Sequence, residues 1–147
     1  MFDFTQDYIL ENSRLRLTPL CREDYDKLLH FSIQEPELWT YSLIQANTPE
    51  KLAHYIDTAL KGRLAQHSYA FTVFDKASQQ YAGSTRFYDI QPEQGSLQLG
   101  YTWYGKAFQG SGLNTQCKFL LLQFAFEVLQ IERVEFRADS ENARSIQ

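Results

Sequence analysis

Apolar residues with two different periods divide the first part of the chain into a strand and two helices. An alternating pattern predicts a strand at 13–18, with Leu15 and Leu17 pointing inward. Apolar residues three or four positions apart predict a helix at 22–34. A second helix begins after Thr48, whose side chain can cap the first N–H groups. The apolar stripe of this helix consists of Leu52, Tyr55, Ile56, Ala59 and Leu60.

The middle of the chain is rich in β-branched and aromatic residues and predicts three strands. The runs at 69–74 and 81–90 are separated by a short polar segment, which is typical of a hairpin. A third run at 97–104 follows another turn, which contains Pro92. Strands joined by short turns pair antiparallel, so these three are expected to form a meander.

The longest apolar segment predicts a helix at 113–130 that is buried on most sides. Its stripe consists of Leu113, Cys117, Leu120, Leu121, Phe124, Ala125, Val128 and Leu129, and its flanks add Phe119, Leu122 and Phe126. An alternating strand at 132–138 follows, whose apolar face consists of Val134, Phe136 and Ala138. A strand, a helix and a strand in this order form a crossover, which makes a parallel pair inside an otherwise antiparallel sheet.

These elements predict an α+β fold: a mixed, mainly antiparallel sheet flanked by helices. The chain has 147 residues, of which 44% are hydrophobic, so one domain over 1–147 with a single core is expected. The net charge is −4 and the two signs are interspersed, so the chain lacks the basic stripe of a nucleic-acid-binding protein. The three histidines share no metal-ligand spacing, and no metal site is expected.

The N-terminal segment and the two cysteines indicate a protein of the cytoplasm. Residues 1–15 are acidic and lack the basic and apolar regions of a signal peptide. No window approaches the roughly 18 apolar residues of a membrane span, so no membrane contact is expected. Cys21 and Cys117 form no CxxC motif and are interpreted as unpaired packing residues in a reducing compartment.

A turn with two glycines, Gln-Gly-Ser-Gly-Leu-Asn at 109–114, stands between the third strand of the meander and the longest helix. A helix N-terminus leaves several N–H groups unpaired and carries about half a positive charge, so it attracts anions. Gly110 and Gly112 would let the backbone approach a phosphate closely. Alternatively, the glycines serve only a tight connection and Ser111 caps the helix.

Five segments, spread over nearly the whole chain, occur together in one order. They are RLRLTPL at 14–20, AGSTR at 82–86, LGYTW at 99–103, QGSGLN at 109–114 and NARS at 142–145. In this combination the chain resembles the Gcn5-related N-acetyltransferase (GNAT) superfamily, and more closely its ribosomal-protein N-acetyltransferase branch.

The resemblance implies that acetyl-CoA is the co-substrate. Its pyrophosphate is expected on the backbone amides of Gln109, Gly110, Ser111, Gly112, Leu113 and Asn114. The strands before and after the helix are expected to splay apart and hold the pantetheine between them, with Tyr101 and Trp103 among the cofactor-binding residues. Asn142 matches the family asparagine that contacts the cofactor; alternatively, it caps a helix.

The resemblance also implies that an acceptor amine attacks the thioester directly, without a covalent enzyme intermediate. Gln98 stands where relatives often place a glutamate, and an amide cannot accept a proton at neutral pH. Glu93 could act through water instead; alternatively, it is a solvated loop carboxylate. Ser145 matches a position proposed to protonate the departing thiolate; alternatively, it is a solvated residue of a first helical turn.

The acceptor is expected to be a protein N-terminus or a small-molecule amine. An α-amine has a pKa near 8 and a lysine near 10.4, so the α-amine needs much less help from a base at pH 7. Trp39 and Tyr41 could line the acceptor pocket; packing under a loop is the alternative.

The chain ends at Gln147, where relatives continue through further strands. The domain is therefore expected to be C-terminally incomplete, with its last strands missing. The strand at 132–138 would then be an exposed edge and could join two copies of the chain into a homo-oligomer. A non-catalytic acyl-CoA-binding or interaction module is the alternative function, favoured by Gln98 and by the missing segment.

Overall fold

The computed structural model describes residues 2–42 and 44–136, which form one sheet with helices on both faces. The strands are β1 (Leu10–Glu11), β2 (Leu15–Pro19), β3 (Ser68–Asp75), β4 (Gln80–Gln91), β5 (Ser96–Tyr104) and β6 (Arg133–Phe136). The helices are α1 (Asp24–Gln34), α2 (Pro49–Leu64) and α3 (Leu113–Gln123), and α3 continues directly into a π-helical turn at Phe124–Val128. Short 3₁₀ turns lie at Pro36–Trp39, Pro92–Gln94 and Lys106–Phe108.

The six strands lie in the sheet in the order of the chain. Neighbours from β1 to β5 pair antiparallel, whereas β5 and β6 pair parallel, with Leu97 opposite Val134. The parallel pair arises because α3 carries the chain back across the sheet before β6 begins. The structure thus confirms the α+β fold, the meander and the crossover.

Different elements pack against the two faces of the sheet. Phe87 of β4 points to the face covered by α3 and the N-terminal segment, where its ring lies 6.5 Å from Phe124 and 6.3 Å from Phe2. The neighbouring Arg86 points to the opposite face, where its guanidinium lies over the ring of Tyr55 in α2. Side chains of successive strand residues alternate between faces, so α1 and α2 cover the Arg86 face.

Helix α2 begins as its sequence predicts. Thr48 has an extended backbone, and its Oγ1 accepts a hydrogen bond from the N–H of Lys51 at 3.1 Å. Pro49 occupies the first helical position, where its missing N–H has no cost. Four members of the predicted apolar stripe are buried, namely Leu52, Tyr55, Ile56 and Ala59.

Helix α3 differs from its prediction in two respects. The α-helix ends at Gln123, and the N–H of Leu129 bonds to the carbonyl of Phe124 at 3.0 Å, five residues back. The expectation that the helix is buried on most sides is wrong, because Phe119, Phe126 and Val128 are 64%, 45% and 61% exposed. A π turn holds more residues than an α turn, so the residues after Phe124 no longer follow the helical period used for the prediction.

Strand β6 spans Arg133–Phe136, inside the predicted range 132–138. Its apolar face is partly open: Phe136 is 52% exposed, and Lys118 Nζ lies 5.6 Å from its ring centroid. Ala138 lies outside the described residues. Association of two copies through this strand therefore stays a prediction.

Within the described ranges, no helix has the length and apolar character needed to cross a membrane.

Candidate functional site

The glycine turn leaves the N-terminus of α3 open. Gly110 and Gly112 have φ values of +71° and +86°, a region that favours glycine. A Cβ atom at either position would meet no atom of the described residues within 4 Å, so there is space beside both glycines. Gly112 is the N-cap residue, and no side chain of the described ranges caps the helix. The first N–H groups of α3 are thus available to an anion.

Ser111 stabilises the turn instead of capping the helix. Its Oγ donates to the carbonyl of Phe108 at 2.6 Å, and the N–H of Leu113 reaches this Oγ only at 3.4 Å. Gln109 fixes the start of the turn, since its Nε2 donates to the carbonyl of Tyr104 at 3.0 Å. The alternative in which Ser111 caps α3 is thus represented only by the long contact to the N–H of Leu113, and the N-cap position itself is Gly112.

Arg14 brings a positive charge to the same turn. Its Nη2 donates to the carbonyl of Ser111 at 3.2 Å and to Ser111 Oγ at 3.3 Å, while its Nε pairs with Asp75 at 3.3 Å. In the sequence, Arg14 stands out only as part of the first strand and of the segment at 14–20. The two sites are 97 residues apart, and no local pattern relates them.

Strand β5 pairs parallel with β6 from Ser96 to Leu99, where Leu99 lies opposite Phe136. The residues that follow Phe136 lie outside the described ranges, so the expected splay of the two strands stays a prediction. Residues 100–104 of β5 lead directly to the glycine turn.

A β-bulge interrupts β5 at Tyr101. Arg86 is opposite Gly100 whereas Ser84 is opposite Trp103, so β5 has one extra residue here. Tyr101 has φ +51°, which is rare for an aromatic residue, and strained backbone of this kind concentrates at functional sites. The extra residue of a bulge is left out of the ladder, and its side chain is redirected.

The bulge turns Tyr101 onto the α1–α2 face. Its ring lies 4.7 Å from that of Tyr88 and 4.8 Å from the guanidinium of Arg86. Trp103 is 6% exposed and packs on the same face against Phe31 and Trp39, at 5.3 and 4.8 Å. A contact between Trp103 and a cofactor would therefore involve its backbone and not its ring.

Gln98 and Glu93 lie in different environments. Gln98 is buried in β5, and its Nε2 donates to Asp89 Oδ2 at 2.8 Å. Glu93 is exposed in the turn before β5. The nine residues of β5 separate this turn from the glycine turn, a span of roughly 25–30 Å. The structure thus places Glu93 and the glycine turn at opposite ends of β5, and it places a carboxylate, Asp89, beside Gln98.

Trp39 and Tyr41, the two residues predicted to line the acceptor pocket, differ in their exposure. Trp39 is 1% exposed and packs on Trp103, whereas Tyr41 is 58% exposed. Trp39 therefore fits the alternative given for these residues, in which they pack under a loop. Asn142 and Ser145 lie outside the described residues, and their roles stay predictions.

The cysteines fit their interpretation as packing residues. Cys117 is 1% exposed, and burial raises the pKa of its thiol to about 12. Burial, and then the carboxylate of Asp24, raise the pKa of the half-buried Cys21 to about 11. Neither thiol is ionised at neutral pH, so neither is prepared to act as a nucleophile. In the described part of the chain, no cluster of three potential ligands could hold a metal ion.

Gln98→Glu is expected to make the free energy of unfolding depend on pH. The variant would place a second carboxylate against Asp89, so the pKa of the introduced carboxyl should rise above its ordinary value of about 4.3. A carboxyl with a raised pKa contributes its full stability below the unfolded pKa and loses it as pH rises through the folded pKa. We expect a loss of about 1–3 kcal/mol relative to wild type at pH 8, and little loss near pH 4.

The measurement is urea unfolding of both proteins across this pH range. Gln94→Glu is the matched control, because Gln94 is exposed in the adjacent turn. A difference from wild type that is the same at both ends of the range would contradict the contact between positions 98 and 89.

Comparison with known proteins agrees with this geometry. The acetyltransferase (GNAT) domain family matches residues 14–147. The uncharacterized N-acetyltransferase p20 of Bacillus licheniformis is 27% identical over 142 residues, which are 93% of this chain and 76% of that protein. A Gcn5-related N-acetyltransferase from Brucella melitensis superimposes with a TM-score of 0.84 at 28% identity, covering 96% of this chain and 64% of the other.

A ribosomal L7/L12 α-N-protein acetyltransferase has the same fold. It superimposes with a TM-score of 0.78 at 19% identity, covering 96% of this chain and 78% of the other. This identity shows similarity of fold alone. The family match covers most of the sequence, and it includes the glycine turn, the bulged strand and the crossover. The chain therefore belongs to the GNAT family of N-acetyltransferases.

Proposed function

We propose that this protein transfers the acetyl group of acetyl-CoA to a primary amine. The observation that supports this proposal best is the open N-terminus of α3, where two glycines of positive φ leave space and no described side chain caps the helix. A pyrophosphate placed there would accept hydrogen bonds from backbone N–H groups and interact favourably with the helix dipole. Arg14 adds a cation beside the turn.

In the proposed complex, the pantetheine extends from the turn along residues 100–104 of β5. The thioester then lies near the bulge at Tyr101. The extra residue of the bulge has an N–H outside the ladder, which can donate to the thioester carbonyl as negative charge develops there.

The reaction needs no covalent enzyme intermediate. The lone pair of the neutral amine attacks the carbonyl carbon, a C–N bond forms, the C–S bond breaks, and the sulfur leaves as a thiolate. The nitrogen loses one proton and the thiolate gains one. We propose Ser145 as the donor of that proton, and Gln98 as a positioning residue next to Asp89 rather than a base.

The amine is proposed to be an α-amine, either of a protein N-terminus, as in the ribosomal-protein branch, or of a small molecule in the cytoplasm. Because the α-amine of a protein N-terminus has a pKa near 8 and is about a tenth neutral at pH 7, it reacts without a strong base. An acceptor that needs no strong base suits this site, because Gln98 stands where relatives often have a glutamate.

Acetyl-CoA is expected to raise the melting temperature and to release free thiol when an amine is present. A ligand that binds only the native state at 100 times its Kd stabilises by about 2.7 kcal/mol, which is several degrees for a domain of this size. The measurements are thermal unfolding and thiol release with a panel of α-amines and lysine derivatives. Adenosine diphosphate, which has the pyrophosphate without the pantetheine or the thioester, is the control ligand.

The two outcomes separate the proposed enzyme from a non-catalytic acyl-CoA-binding module, which the amide at Gln98 would favour. A thermal shift without thiol release from any amine would support the module. The absence of any thermal shift with millimolar acetyl-CoA would contradict both.

A further inference from the structure

The α1–α2 face of the sheet contains a group of buried polar atoms without partners. Arg86 Nε, Arg86 Nη2, the hydroxyl of Tyr55, and the indole nitrogens of Trp39 and Trp103 are all buried and form no hydrogen bond among the described residues. Buried polar groups in folded proteins are nearly always hydrogen-bonded, so a group of exceptions calls for an explanation. Arginine and the indole N–H can only donate, and the tyrosine hydroxyl can also donate. The group therefore suits a ligand rich in acceptor atoms.

Arg86 dominates this group because it adds a full charge. Arg86 is 4% exposed, and its guanidinium is a cation. The ion pairs within the described residues use other cations, namely Arg14, Arg22, Lys27, Lys61, Arg63, Lys76, Lys106 and Arg133. A buried charge without a counterion is costly. Cation–π contacts with Tyr55 and Tyr101 compensate for part of this cost.

Two rings contact the guanidinium, and one of its edges has no hydrogen-bond partner in the described ranges. Tyr55 lies 5.2 Å and Tyr101 4.8 Å from its central carbon. The two nitrogens without a partner in the described ranges, Nε and Nη2, are the pair whose N–H bonds point in parallel along one edge of the guanidinium. Such a pair binds both oxygens of a carboxylate in one plane. A planar carboxylate suits an edge flanked by two aromatic rings better than a tetrahedral phosphate does.

Arg86 also lies next to the proposed reaction centre. It is directly opposite Gly100, and its neighbour Tyr101 is the bulged residue. Opposite residues in an antiparallel pair have Cα atoms about 4.5–5.5 Å apart. Tyr101 and Gly100 are partly exposed, whereas the unpaired nitrogens of Arg86 are buried, so a carboxylate reaches them when a side chain at this edge, such as that of Tyr101, moves.

From this geometry we infer that Arg86 binds a carboxylate of the acceptor, and that the acceptor is an amino acid or another small amine with a carboxylate close to the amine. The inference rests on the proposed acetyl transfer and narrows its substrate class. Polyamines, which have only positive charges, are disfavoured by Arg86.

The test compares amino acids with their own amides. Glycine, alanine, serine and glutamate are each paired with the α-amide, which keeps the amine and removes the α-carboxylate charge. Thiol release from acetyl-CoA gives kcat/KM for each. The amine of the amide is less basic and more often neutral, so a preference for the acid has to come from binding of the carboxylate.

Arg86→Gln is the central variant and Arg16→Gln is its control. Arg16 also lies over an aromatic ring, 4.7 Å from that of Phe74, but on β2. We expect Arg86→Gln to lower kcat/KM for the preferred acid by about 10- to 100-fold, mainly through KM, because a hydrogen-bonded charge pair is lost. We expect little change for the amide, and no change for either acceptor in Arg16→Gln.

A second readout does not need turnover. The N-acetyl derivative of the preferred acid should bind to wild type in the presence of CoA by calorimetry, and its N-acetyl amide should bind more weakly. Arg86→Gln should remove this difference and should melt no lower than wild type, since it removes a buried charge that has no counterion in the described ranges. If Arg86→Gln does not fold, Arg86→Lys provides the test, because it keeps the charge without the parallel N–H pair and should lose part of the preference.

The outcomes distinguish this inference from the proposed function. Binding of the N-acetyl acids through Arg86 without acetyl transfer to any amine would support the carboxylate site and contradict the enzyme. Acetyl transfer to acids and amides alike, equal in wild type and Arg86→Gln, would support the enzyme and overturn the carboxylate site.

Discussion

Gly112→Val is expected to lower the affinity for acetyl-CoA by about 100-fold or more. Position 112 has φ +86°, and no described atom lies within 4 Å of its Cβ direction. A branched side chain would occupy the space proposed for the pyrophosphate and keep it away from the first N–H groups of α3. Each hydrogen bond to a charged group contributes about 1.5–3 kcal/mol, so loss of two accounts for this effect. Calorimetric titration with acetyl-CoA measures it.

Gly95→Val is the matched control for backbone strain. Gly95 has φ +65°, so valine is disfavoured there as well, and a Cβ would meet only the flexible side chain of Glu132, at 3.3 Å. Both variants should lose about 1–3 kcal/mol of stability. Gly95 lies at the start of β5, away from the glycine turn, so its variant should bind acetyl-CoA normally. Unchanged affinity in folded Gly112→Val would rule out the turn as the pyrophosphate site.

Phe87→Ala is expected to destabilise the fold by about 3–5 kcal/mol. Phe87 is fully buried, and its ring contacts Phe71 at 5.8 Å in the sheet, Phe124 at 6.5 Å in the π turn and Phe2 at 6.3 Å in the N-terminal segment. Its removal would leave a cavity where three parts of the fold meet. This loss is a large fraction of the roughly 5–15 kcal/mol that stabilises a typical domain. Urea unfolding followed by tryptophan fluorescence is the measurement.

Phe119→Ala provides the comparison for this variant. Phe119 belongs to the apolar segment of α3 but is 64% exposed, so its replacement should change the free energy of unfolding by no more than about 0.5 kcal/mol. Equal losses in the two variants would mean that the exposed side of α3 is covered in solution.

Elements with a strong local period are the ones that the sequence predicts well. The alternation around Leu15 and Leu17, the Thr48 cap and the hairpin at 69–90 each depend on residues that are close in the chain, and each is present in the structure. The glycine turn belongs to the same class, because positive φ is a property of the residue itself.

The C-terminal half of the longest helix is predicted less well. Its apolar residues follow a regular α-helical period, but the structure inserts a π turn at Phe124–Val128 and leaves Val128 exposed. Hydrophobicity gives the period of a helix only if the backbone keeps about 3.6 residues per turn. Phe124 packs against Tyr8 and Phe87, which lie far from it in the chain. Local periodicity contains no information about such distant contacts.

The sequence by itself determined the class of fold, the crossover, the family resemblance and the glycine turn, because local patterns and short motifs specify them. Only the tertiary structure decided that Arg14 reaches the turn, that Asp89 accepts a hydrogen bond from Gln98, and that Arg86 is buried between two rings with no counterion among the described residues. The reason is physical. Burial and pairing of a charge depend on which strands become neighbours and on a one-residue bulge that reorients Tyr101, and both are consequences of the complete sheet.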